Sequence, residues 1–254
     1  MTGPSTVVKG TGPALLLVHG AGGSVQANYG PVLRTLIQHF TVIGRDLPGS
    51  GSTPVAAGPL VLEELADDLV DVAVRAGHES FHVSGYSMGC AIAATAAVRH
   101  PERVRGLVLS SPFTKIDAAT RARLDHWRSL LDGPRSVLAR YILSVMCSEK
   151  YLAGLTPAQA EGFAELIGTT VPAGSASHVD LILRTDLSGL LPLVTQPTLV
   201  IGASGDRLLS PALAKEVSDL VPGAKYTDLA CGHAIALEAA TPWARLITDY
   251  LTSV

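Results

Sequence analysis

Short apolar runs alternate with longer amphipathic stretches along this chain. Leu15-Leu16-Leu17-Val18, Phe40-Thr41-Val42-Ile43-Gly44, Phe81-His82-Val83-Ser84, Val104 to Leu109 and Thr198-Leu199-Val200-Ile201 are apolar nearly throughout. They lack the in–out alternation of a half-solvated strand, so they predict strands buried on both faces, as in a parallel sheet. Between them, Pro31 to His39 places Val32, Leu33, Leu36 and Ile37 at helical spacing. Leu62 to Ala76 does the same with Leu62, Leu65, Leu69, Val72 and Ala76, while Glu63, Glu64, Asp67, Asp68 and Asp71 fall largely on the opposite face. Cys90 to Val98 is alanine-rich and predicts a buried helix. Pro211 to Leu220 predicts another, and Tyr226 to Ala230 a last strand. Alternation of strand and helix means βαβ units, hence an α/β protein with a mostly parallel central sheet flanked by helices. Turn-rich segments follow the strand ends, which is where open α/β sheets bind their ligands.

The alternation breaks between Pro112 and about Leu191. Ala118 to Leu131, Arg135 to Met146 and Pro157 to Ile167 have helical patterns, with no strand among them. Residues 1–111 and 192–254 therefore read as the core and 112–191 as a helical insertion. Leu124, Trp127, Leu131, Ile142, Met146, Phe163 and Ile167 face either a pocket or the insertion's own interior; the interior is the expectation for most of them. A length of 254 residues suits one such domain.

Composition narrows the function classes. Hydrophobic residues make up 47% of the chain, which is a globular proportion, and the formal net charge is −3. That balance provides no basic stripe for nucleic acid and no polybasic membrane anchor. No apolar run reaches membrane-spanning length, and the first residues lack a cationic start with an apolar core behind it. The three cysteines, Cys90, Cys147 and Cys231, cannot all pair within one chain and have no metal-ligand spacing. They read as reduced, buried thiols of a cytoplasmic protein. No metal or organic cofactor is expected.

The chemistry concentrates at Gly85-Tyr86-Ser87-Met88-Gly89. A serine between glycines, at a strand-to-helix junction, sits on a turn tight enough to project its hydroxyl clear of the sheet. That hydroxyl needs a base, and the base needs an orienting carboxylate. Of the eight histidines, His233 in Cys231-Gly232-His233 follows the last strand and can reach the sheet's carboxyl edge. His39 and His100 end helical stretches, where an imidazole suits the dipole. His78 lies in a polar turn, His82 inside a strand as a satisfied core group, and His126 and His178 in the insertion, where His178 is a candidate pocket wall. Asp206 follows the strand Thr198–Ile201 through Gly202-Ala203-Ser204-Gly205, and Asp228, within the last strand, is the second candidate acid. The strand ending at Leu109 is followed by Ser110-Ser111, so no carboxylate stands there. An oxyanion needs preorganised donors. The Met88 N–H, at a helix start, is one; the loop His19-Gly20-Ala21-Gly22-Gly23 offers the second, from Ala21 by position. His19 reads as a brace for that loop.

These motifs, taken together and in order, resemble the α/β-hydrolase fold superfamily, in its serine-nucleophile, cap-bearing branch, nearly end to end. The resemblance rests on the His19–Gly23 loop, the Asp46-Leu47-Pro48-Gly49-Ser50-Gly51 turn, the serine turn at Ser87, Gly205-Asp206 and Gly232-His233. It implies a catalytic triad of Ser87, Asp206 and His233, a helical cap at residues 112–191 inserted after the sixth strand of the full fold, and Asp46 as a turn-stabilising residue. Two departures stand out. Cys90 occupies a position where many relatives have glycine, which asks for looser helix–strand packing, and the short N-terminus implies reduced edge strands. The function implied is a carboxylesterase-like serine hydrolase that cleaves an ester, lactone or thioester of a small to medium apolar acyl compound through an acyl-enzyme, with a small molecule as its partner. The alternatives are the same triad used for perhydrolysis, acyl transfer, carbon–carbon cleavage or a lyase or cyclase step, or a non-catalytic ligand-binding fold.

Overall fold

A computed structural model describes residues 6–254. Seven strands form one sheet: β1 (Thr6–Lys9), β2 (Ala14–Val18), β3 (Thr41–Arg45), β4 (Phe81–Tyr86), β5 (Val104–Ser110), β6 (Thr198–Ala203) and β7 (Lys225–Leu229). Their order is β1-β3-β2-β4-β5-β6-β7, with β1 antiparallel to β3 and every other pair parallel. The apolar runs are the central strands: β2, β4 and β6 are buried at every position. Successive side chains serve opposite faces. Leu16, Val18, Val83, Leu107 and Val200 join one core layer, and Leu15, Leu17, Val42, Val108 and Ile201 the other.

Helices cover both faces. α2 (Leu62–Arg75), α3 (Met88–Arg99) and α9 (Pro211–Leu220) pack on the first layer. α1 (Val25–Leu36) and α11 (Ala240–Leu251) pack on the second. α1 starts earlier than the expected Pro31, which is interior to it. Its start is set by two acceptors: Ser24 Oγ takes the Ala27 N–H at 3.0 Å, and Asp46 Oδ1 takes the Val25 N–H at 2.7 Å. Such caps satisfy donors that the helix itself cannot. Asp46 thereby ties the turn after β3 to the start of α1.

Between β5 and β6 the described chain is helical: α4 (Ala118–Leu130), α5 (Arg135–Met146), α6 (Glu149–Ala153), α7 (Pro157–Thr170) and α8 (Ser175–Arg184), then a 3-10 turn at Leu191–Leu193. The two ends of this segment meet. Lys115 and Asp186 form an antiparallel bridge and an ion pair at 2.8 Å, and the Leu187 N–H donates to the Thr114 carbonyl. The segment therefore leaves and rejoins the sheet at one place. It follows the fifth strand described here, because a single short strand precedes β2 at that edge. A four-residue helix, α10 (Ile235–Glu238), follows the His233 loop.

Candidate active site

β4 ends in the tight turn at Ser87, whose backbone is held at φ 54°, ψ −123°. A non-glycine residue there is strained by its Cβ, and the surrounding structure must hold it in place. Close packing does so. A side chain at Gly89 would overlap the Val18 carbonyl, and one at Gly85 would come within 2.6 Å of the Gly89 carbonyl and 2.8 Å of Cys90 Cα. The Ser87 N–H is fixed by the Ser110 carbonyl at 2.8 Å. Cys90 does not loosen this contact, as the sequence had suggested. Its buried thiol donates to the same Ser110 carbonyl at 3.3 Å, and burial raises its pKa well above the usual thiol range.

Loops from three strand ends bring the expected residues together. His233 Nε2 lies 2.9 Å from Ser87 Oγ, and His233 Nδ1 lies 2.6 Å from Asp206 Oδ2. The other Asp206 oxygen accepts from the Leu208 and Leu209 N–H groups, each at 2.9 Å. Both carboxylate oxygens thus accept, and the ring's Nδ1 is the donor to Oδ2. Asp206 and His233 are 3% and 2% exposed at their side chains, so water competes little for this bond. Asp228 is elsewhere: on β7 it accepts from the Tyr226 hydroxyl at 2.6 Å.

The histidine is also held from behind, by a residue the sequence reading did not single out. The Tyr86 hydroxyl donates to the His233 carbonyl at 2.6 Å, and the two rings lie 5.3 Å apart. Burial raises the Tyr86 phenol well above its usual pKa, so it remains a donor. Glu238 accepts from the Gly232 N–H at 3.1 Å, and the Ala234 N–H donates to the Met146 carbonyl at 2.7 Å.

The glycine-rich loop after β2 has most of its N–H groups committed. Gly20 N–H donates to Asn28 Oδ1 at 2.9 Å, Gly22 N–H to His178 Nδ1 at 3.2 Å, and Gly23 N–H to the Gly20 carbonyl at 3.4 Å. The Ala21 N–H has no backbone or side-chain partner among the described residues. Met88, the first residue of α3, likewise has an N–H outside the intrahelical ladder. His19 is fully buried, accepts the Leu47 N–H at 2.9 Å through Nε2 and donates through Nδ1 to the Gly20 carbonyl at 2.8 Å.

His178 does not line the pocket. It is fully buried between the glycine loop and the β3 turn, donating through Nε2 to the Pro48 carbonyl at 2.9 Å. Burial lowers the pKa of both His19 and His178 to about 4, and the rings sit 6.2 Å apart. His82 is also unlike its expectation: its Nδ1 is buried without a partner among the described residues.

The pocket at Ser87 has a volume of about 160 Å³. Its floor is the glycine loop, Ser87 and His233. Its far wall is Leu124, Trp127, Ile142, Met146 and Ile167 from α4, α5 and α7. Most of the apolar residues assigned to the insertion's interior thus face the pocket. Leu131 packs on the core cluster, and Phe163 lies 6.3 Å from the Tyr151 ring. No Asp, Glu, Lys or Arg lines the cavity. Among the described residues no helix is long and apolar enough to cross a membrane.

A family model of the alpha/beta hydrolase fold matches residues 13–240. The chain belongs to the α/β-hydrolase fold family. This α/β hydrolase is 32% identical over 254 residues to a pyrrolizixenacetamide deacetylase of Xenorhabdus hominickii, covering 98% of this chain and 94% of that one. It is 27% identical to a 2-(acetamidomethylene)succinate hydrolase of Mesorhizobium japonicum, covering 92% and 88%. Its fold superposes on the enol-lactonase of Burkholderia xenovorans LB400 with a TM-score of 0.85 at 24% identity, covering 98% and 96%. These are enzymes of hydrolytic families, and this chain is a hydrolase of the same fold.

Proposed function

We propose that this α/β hydrolase releases a small, uncharged acyl group from an ester, lactone, thioester or amide through an acyl-enzyme on Ser87. The observation that carries the reading is the hydrogen-bonded line from Ser87 through His233 to Asp206, opening on a pocket without a charged wall. A volume of about 160 Å³ is below the roughly 300–1,000 Å³ common for drug-sized ligands, which favours a short acyl group. The names of two relatives, a deacetylase and an acetamido compound's hydrolase, extend the class from esters to N-acyl compounds.

Ser87 Oγ attacks the carbonyl carbon as His233 Nε2 takes its proton. Asp206 orients the ring and stabilises the imidazolium through Nδ1–H. The carbonyl oxygen becomes an oxyanion, accepting from the Ala21 and Met88 N–H groups; one such donor is worth about 2.7–4 kcal/mol in comparable sites. His233 then protonates the leaving oxygen, sulfur or nitrogen as the tetrahedral centre collapses. Water, deprotonated by the same ring, attacks the acyl-enzyme, and the acid departs with Ser87 regenerated. Residues 112–191 act as the cap over this chemistry, and their apolar wall limits the acyl chain and excludes bulk water.

Labelling by a fluorophosphonate probe and hydrolysis of p-nitrophenyl esters of graded length test the reading. Wild type is expected to take up the probe and prefer the shortest acyl chains, and Ser87→Ala to do neither. Equal labelling of the two proteins would remove Ser87 from the mechanism.

A further inference from the structure

Asn28 lies in α1 with its amide against the glycine loop, close enough to Gly23 that a side chain there would meet both amide heteroatoms, at 2.6 and 2.9 Å. Its orientation is decided by chemistry. The Gly20 N–H can only donate, so the atom 2.9 Å away is the amide oxygen. That leaves the –NH₂ group, with two N–H donors and no partner among the described residues, on a residue that lines the pocket. The other polar side chains there are committed. The Tyr86 hydroxyl donates to His233, the Thr170 hydroxyl to the Leu166 carbonyl, and Ser87 and His233 bond each other. The Trp127 indole N–H lacks a partner too, but it is sealed within the wall. An open amide donor in an otherwise apolar pocket is the kind of group that fixes ligand orientation and specificity.

Asn28 and Ser87 line the same pocket and are linked through Gly20. Asn28 holds the Gly20 N–H, and a side chain at Gly20 would lie 3.1 Å from Ser87 Cβ. We infer that Asn28 Nδ2 donates a hydrogen bond to a carbonyl or ether oxygen of the substrate, a few bonds from the scissile carbonyl, and that the enzyme selects acyl compounds carrying such an oxygen. This rests on the hydrolase reading of the site. The oxygen belongs either to the acyl group or to the leaving group, and the chemistry of recognition is the same in both.

Matched esters that exchange one methylene for oxygen read the bond directly. For the acyl side the pair is p-nitrophenyl methoxyacetate and p-nitrophenyl butyrate. For the leaving-group side it is 2-methoxyethyl acetate and n-butyl acetate. The ratio of kcat/KM within each pair is taken for wild type, Asn28→Leu and Asn28→Asp, so that intrinsic reactivity cancels between proteins. Asp keeps an acceptor for the Gly20 N–H and puts a charged acceptor where the donor stood. The ratio of oxygen to methylene ester is expected to fall about three- to tenfold in both variants for one of the pairs, the size of a single neutral hydrogen bond. Ratios that stay within about twofold of wild type in both pairs, less than such a bond supplies, overturn the inference. A fall confined to Asn28→Leu also overturns it, because it assigns Asn28 to loop support alone. A wild type that takes up no fluorophosphonate and turns over none of these esters overturns the hydrolase reading, and this inference with it.

Discussion

Glu238 and Ser148 are joined twice: the Glu238 carboxylate accepts from the Ser148 N–H at 2.8 Å and from its hydroxyl at 2.6 Å. The same carboxylate holds the Gly232 N–H, one residue before His233. Ser148 follows α5, whose last residue, Met146, lines the pocket. One side chain therefore sets the helical segment and the histidine loop against each other. Glu238→Ala removes the acceptor from three donors at once. A loss of about 1–3 kcal/mol is expected, since buried donors left unpaired cost that much. Urea denaturation measures it. Turnover should fall together with stability, whereas Ser148→Ala, which loses the hydroxyl's bond to Glu238 and its cap on the Tyr151 N–H but keeps the two backbone N–H bonds to Glu238, should show a smaller change in turnover.

Ser87 stores backbone strain that glycine would not feel. Ser87→Gly and Ser87→Ala both remove the hydroxyl and leave His233 Nε2 without it. Only glycine relaxes the φ of 54°. Relief of about 1–3 kcal/mol is offset in part by glycine's larger unfolded-state entropy, about 0.4–1 kcal/mol. Ser87→Gly is thus expected to unfold at a higher temperature than Ser87→Ala, as scanning calorimetry would show. The reverse order would mean that the turn is not strained.

Asp206→Asn tests the orientation of the imidazole. The amide of asparagine cannot accept through both of its heteroatoms, so it fails either His233 Nδ1–H or the Leu208 and Leu209 N–H groups. The ring is then free to adopt the tautomer that places a proton on Nε2, facing Ser87. A drop in kcat of about a thousandfold or more is expected at pH 7 on a p-nitrophenyl ester. Fluorophosphonate labelling should slow in parallel.

Acid should weaken the fold through His19 and His178. Both are held neutral in the folded protein, with pKa values lowered to about 4 by burial, against about 6.5 when unfolded. The unfolded chain thus binds more protons between those values, so stability is full above about pH 6.5 and falls as pH drops toward 4, by roughly 1 kcal/mol per pH unit for each histidine. His178 protonation also converts the acceptor of the Gly22 N–H into a donor. Unfolding free energies measured from pH 4 to 8 should show this slope, and His178→Gln should flatten it.

Gly89→Ala should cost about 3 kcal/mol or more, because the new methyl would meet the Val18 and His19 carbonyls, which are backbone and have little freedom to withdraw. Expression yield and melting temperature report the loss.

Much of this architecture was legible because strands buried on both faces are apolar nearly throughout, as β2 and β6 are, and as β4 is apart from its buried His82 and Ser84. The order of turn motifs around Ser87, Asp206 and His233 was legible for a related reason: residues beyond strand ends sit in short segments with few conformations. The edge strand β1 and the helix α11 were not assigned, although Trp243, Ala244, Ile247, Tyr250 and Leu251 repeat at helical spacing and are buried. The pocket wall was misread. An apolar position on α4, α5 or α7 reads alike whether it faces another helix or a cavity, since both exclude water.

By itself, then, the chain's pattern determined an α/β sheet with a helical segment let into it, and named the serine, histidine and acid at strand ends. Tertiary structure alone decided that Leu124, Trp127, Ile142, Met146 and Ile167 enclose about 160 Å³ around Ser87. It alone decided that His178 holds the glycine loop from 156 positions away and that Glu238 ties the His233 loop to Ser148, 90 positions away. Local pattern reports which surfaces avoid water. Hydrogen bonds between residues up to 156 positions apart are specified only when packing brings the donors and acceptors within reach of each other.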